Sequence, residues 1–75
     1  MQSTRVLTCV LQREGEGFVA LCPQLDIASQ GDSIEQARLN LVEAVELFFE
    51  CADNAEITAR LSDETYVGQI EVRVA

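Results

Sequence analysis

The sequence predicts a small α+β domain of β-β-β-α-β order, and three observations carry that expectation. Two apolar runs flank the acidic, glycine-punctuated Glu14-Gly15-Glu16-Gly17; a long stretch from Ile34 carries apolar residues at helical period; and Ile70, Val72 and Val74 alternate with polar residues further on. The chain has 75 residues. A domain of that size buries only about 60% of its unfolded surface, so a single domain over residues 1–75 is the ceiling.

The first strand is expected over residues 5–12, where β-branched and aliphatic types dominate, and the second over 18–22 (FVALC), so that the glycine-rich break between them forms a hairpin turn. Pro23 cannot continue a regular ladder, so Pro23-Gln24-Leu25-Asp26 should turn the chain into a short third strand over 27–30, closed by Gly31 and Asp32. Ser33 followed three residues later by Gln36 is a capping-box pattern. The serine oxygen can accept an orphan amide while the glutamine reaches back, so a helix begins there. Ile34, Ala37, Leu41, Ala44, Val45 and Phe48 then share roughly 100° of arc, and the pattern runs to about Ala52 before Asp53-Asn54 ends it. Residues 53–65 read equally as an extended segment or an ordered loop. From Tyr66 to Val74 the period of two predicts a last strand with one buried and one wet face.

A right-handed crossover from strand three through the helix places strand four beside strand one, giving the order 3-2-1-4 with the helix on one sheet face. The other face is then informative. Leu7, Cys9 and Leu11 point one way in the first strand while Val6 and Val10 point the other; Phe18, Ala20 and Cys22 likewise alternate against Val19 and Leu21. Strands apolar on both sides belong to sheets covered on both sides. One helix covers only one face, so a second copy of the chain is expected to bury Val6, Val10 and either Phe18 or Val19 in a dimer or higher homo-oligomer.

Five Lys/Arg against 13 Asp/Glu give a net charge of -8. That sign repels phosphate backbones and anionic membranes, which argues against direct nucleic-acid or membrane binding and favours a basic protein partner. There is no histidine, and Cys9, Cys22 and Cys51 show none of the paired spacings of zinc sites. They read as small buried apolar residues in a reducing compartment, and with no signal-peptide pattern at the start the cytoplasm is the expected location.

The run from Cys22 to Glu50 resembles the signature of HicB-like antitoxins. The matching positions are Pro23, Leu25, Ser29, Gln30, Gly31, Asp32, Ser33, Glu35, Ala37, Asn40, Leu41, Glu43 and Ala44, and with the preceding hairpin the likeness spans roughly residues 5 to 51. The resemblance implies a truncated RNase H-like fold, and an antitoxin of a type II toxin-antitoxin system that neutralises a small basic toxin which cleaves messenger RNA. Family members also carry a C-terminal DNA-binding segment, and no such domain is read in residues 1–75. Residues 26–28 (DIA) depart from the turn that many members have, so loop contacts are not carried over.

RNase H-type catalysis needs carboxylates converging on two metal ions about 4 Å apart. The first strand has no acid between Arg5 and Arg13, and Glu14, Glu16, Asp26, Asp32 and Glu35 fall on turns and a helix start, where acids serve solubility and capping. Without histidine a Ser-His or Cys-His nucleophile pair is excluded. No catalytic residue, metal site or cofactor is therefore expected. Glu43, Glu46 and Glu50 recur at helical spacing, and Leu39 and Leu47 fall outside the core stripe beside them, mixing apolar anchors with acids as protein interfaces do. The expected function is non-enzymatic protein binding through Leu39, Glu43, Glu46, Leu47 and Glu50. The competing readings are a degenerate RNase H-like enzyme and an orphan homo-oligomeric domain that binds a small ligand.

Overall fold

Two antiparallel strands, β1 (Val10–Glu14) and β2 (Gly17–Cys22), meet in the computed structural model, which describes residues 4–62 and 64–75. Their register pairs Glu14 with Gly17, which leaves a two-residue turn of Gly15 and Glu16. Gly15 has a φ of +61° and Glu16 does not share the positive φ, the pattern of a type II′ turn whose twist matches that of the strands. β1 begins five residues later than the expected start at Arg5 and extends to Glu14. The reason lies in its partner: Val10 pairs with Leu21, and soon beyond it the ladder would meet Pro23, which has no N–H to give. Residues 4–9 therefore lie outside the sheet, and the Thr8 amide donates to the Gln24 side-chain oxygen instead (3.2 Å).

The chain turns at residues 23–26, where the Leu25 and Asp26 amides donate to the Cys22 and Pro23 carbonyls (3.3 Å each). Asp26 takes a φ of +54°, a conformation that Asp tolerates better than most side chains. Leu25 is driven fully into the core. β3 (Ile27–Gly31) then pairs antiparallel with β2, and the sheet order is β1-β2-β3.

Helix α1 (Ile34–Cys51) starts where the Ser33 side chain accepts the Gln36 amide at 3.0 Å. Only that half of the expected box forms: the Gln36 side chain donates to Asn40 (3.0 Å) rather than reaching back. α1 lies chiefly over β3 and β2 and least over β1. Ala37 and Leu41 meet Ala20, Cys22 and Leu25 in the buried core, with Leu7, Leu11, Phe18, Ile27, Val45, Phe48, Phe49 and Leu61 packed around it. Of the expected helical stripe, Ile34 stays exposed. Cys22 is buried as expected, whereas Cys9 and Cys51 are exposed, because one precedes the sheet and the other ends α1.

Two elements differ from the sequence expectation. A second helix, α2 (Asn54–Ser62), occupies most of the undecided stretch. Its start is capped by Asp53, whose carboxylate accepts the Glu56 amide at 2.8 Å. And the expected fourth strand does not form: residues 64–75 carry no regular secondary structure and every one of them is exposed. A strand exists only with a ladder partner, and no edge of this sheet lies against that segment. What stands is an α+β domain with a three-stranded antiparallel sheet and two helices.

Candidate partner-binding surface

The outer face of α1 follows from which of its residues the core takes. Ala37, Leu41, Val45 and Phe48 face the sheet. At 100° per residue, Leu39, Glu43, Glu46 and Glu50 then fall on the opposite side, with Val42 and Leu47 at its two margins. The burial agrees: all six are exposed, Leu39 at 59%, Val42 at 51% and Leu47 at 57%. The five residues expected to bind a partner are thus on one continuous helical face, and Val42, which the sequence reading passed over, joins them. Its position three residues after Leu39 was the available signal.

The charge on this face is uncompensated. No basic residue occupies the last turn of α1, and the one ion pair among the described residues, Arg60 with Glu56 at 3.7 Å, lies on α2. Arg5, Arg13 and Arg60 instead cover aromatic rings, those of Phe49, Phe18 and Phe48, at 5.6, 4.6 and 5.5 Å from the ring centroids. Such stacking uses both the aliphatic stem and the charge of arginine, and among the described residues no ion pair joins these three arginines to Glu43, Glu46 or Glu50.

The second sheet face is partly open. Val10 is 38% exposed and Val19 half-buried, both on the side away from α1, while Val6 precedes β1 and is 99% exposed. Phe18 lies on the other side: it packs against the core and carries Arg13 on its ring. Of the two alternatives for that face, Val19 is the one that reaches it.

An open hollow between the end of the sheet that carries the β1–β2 turn and the first turns of α1 is walled by Glu14, Phe18, Gln30, Asp32, Gln36 and Asn40. Its side chains serve the fold: Asn40 donates to the Gln30 carbonyl at 2.7 Å and accepts from Gln36. Glu14, Glu16, Asp26, Asp32 and Glu35 are all exposed, and among the described residues no three acids or cysteines converge as a metal site would require. No helix among them is long and apolar enough to cross a membrane. Tyr66 donates its hydroxyl to Glu64, which holds its pKa above the ordinary 10.0, with a smaller contribution from desolvation.

Comparison with protein-family models, with curated proteins and with solved structures finds no match to this chain.

Proposed function

We propose that this protein is a non-enzymatic, cytoplasmic binding module that holds a small basic protein on the outer face of α1, acting as the antitoxin of a type II toxin-antitoxin pair. The observation that carries the reading is the concentration of exposed Leu39, Val42 and Leu47 among the unpaired acids Glu43, Glu46 and Glu50 on one helical face. Aliphatic side chains beside a row of acids match the way an interface combines apolar anchors with a charged rim. The resemblance of residues 22–50 to HicB-like antitoxins supplies the partner class, a basic toxin that cleaves messenger RNA. In the same reading the sheet is a truncated RNase H-like one of order 3-2-1-4, completed when residues 66–74 add beside β1.

The test is kinetic. Affinity capture from the native cell identifies the basic partner, and the association rate is measured with it at several salt concentrations. Screening over ~8 Å at physiological ionic strength should slow association of the native protein as salt rises. Charge reversal of Glu43 and Glu46 to Lys should slow association and flatten that salt dependence, while Leu47→Ala should mainly speed dissociation. A captured partner that is not basic, or one that associates at the native rate after the double reversal, overturns the proposal.

A further inference from the structure

The chain exposes more surface than a chain of its mass should. A compact 8.3 kDa monomer exposes about 4,600 Å², against 6503 Å² here. Its radius of gyration is 14.6 Å where about 11 Å is expected of a compact chain of this length. One segment contributes to it along its whole length. Residues 64–75 are exposed throughout, with Ile70 at 86%, Val72 at 70% and Val74 at 87%, and among the described residues they donate or accept no hydrogen bond outside the segment itself. Yet their alternation is that of a strand with one apolar face.

The sheet has a matching vacancy. β3 is tied to α1 by the Asn40–Gln30 bond, and α1 lies mainly over β3. β1 has β2 on one side and no ladder partner on the other. An unpaired edge is a template for another strand. The position of α2 sets where the segment leaves: Arg60 donates to the Leu25 carbonyl at 2.6 Å, and Thr65 lies beside the 23–26 turn, to which Thr8, just ahead of β1, is tied through Gln24. The segment therefore starts beside the turn between β2 and β3, at the end of the sheet where β1 begins.

We propose that residues 66–74 of each chain add as a strand to the β1 edge of a second copy, forming a reciprocally strand-exchanged dimer. Each copy brings an open β1 edge and an unpaired strand, so a two-fold arrangement satisfies both at once. The area decides for a second copy rather than a small ligand or short peptide. The surplus of roughly 1,900 Å² over the whole chain is large enough to supply the ~800 Å² per partner of a standard interface. The inference rests on the four-stranded order proposed above, but not on the basic partner.

The experiment uses the full chain alone. Adjacent residues of a strand direct their amides to opposite edges, so Glu71→Pro and Val72→Pro together remove a ladder donor whichever way the strand faces. Sedimentation should show the native protein as a dimer at micromolar concentration. At least one proline variant should weaken self-association by about tenfold or more, which corresponds to the loss of little more than a single bond, with the helical signal in the far ultraviolet unchanged. In a dimer mixed from differently isotope-labelled chains, nuclear Overhauser contacts should run between residues 70–74 of one chain and 10–14 of the other. A monomer whose 70–74 amides are protected by its own β1 overturns the exchange and leaves the 3-2-1-4 order standing. A native protein whose 70–74 amides are unprotected overturns both. A dimer indifferent to both prolines places the contact on the open sheet face and also overturns the exchange.

Discussion

A methyl group at Gly31 has no room. A Cβ built there would stand 2.6 Å from the Ala37 nitrogen and 2.8 Å from the Gln36 carbonyl carbon, both backbone atoms that cannot swing aside. Gly31 is where β3 runs under the first turn of α1, between the Gln30 carbonyl that Asn40 holds and the Ser33 oxygen that caps the helix. Gln30, Gly31, Ser33 and Asn40 thus make the joint between sheet and helix, and they report the fold directly. Gly31→Ala should cost about 1–3 kcal/mol, as overpacking against fixed backbone does. Urea unfolding checks this, and a loss under about 0.5 kcal/mol, no more than an ordinary surface substitution costs, would mean that α1 can lift from β3 freely.

At the scale of elements, the sequence was most legible where a local rule and a long-range contact agree. β2, β3 and α1 came out within a residue or so of the expected bounds because alternation, Pro23 and Ser33 each act locally and the core then rewards the same choice. The start of β1 was misplaced because the end of a strand is decided by its partner, sixteen residues away for Thr8 and Gln24. α2 was missed although Asp53 and Glu56 carry an N-cap signal, since Ile57, Ala59 and Leu61 also fit a period of two. Arg60 resolves that ambiguity in space: it donates to the Leu25 carbonyl and stacks on Phe48, bonds no local pattern announces. Arg60→Ala should therefore release α2 selectively. Amide exchange over residues 54–62 should accelerate more than over α1, with a global loss of about 1–2 kcal/mol, the range of a charge-assisted bond and a cation–π contact. Equal acceleration in both helices would show that α2 opens only with the whole domain.

For the whole molecule, the distribution of charge sets stability against binding. Glu46 and Glu50 are four residues apart on α1, Glu43 is three from Glu46, and Glu50 sits in the last turn, where the helix dipole already disfavours an acid. A face selected only for solubility would mix signs, as the Glu56–Arg60 pair does on α2. Glu50→Lys reverses both effects: it removes a like-charge pair, places Glu46 four residues before a lysine, and puts a cation at the C-terminal end of the helix. Together these should add about 1 kcal/mol, a rise of roughly 4–8 °C in Tm for a domain of this size, and the gain should shrink in high salt. If the acids are kept for a basic partner, the same substitution must slow association with it. A variant that is more stable and slower to associate identifies the row as a binding surface maintained against the interest of the fold. One that is more stable and associates at the native rate reduces Glu50 to a solvated side chain and moves the contact elsewhere on α1.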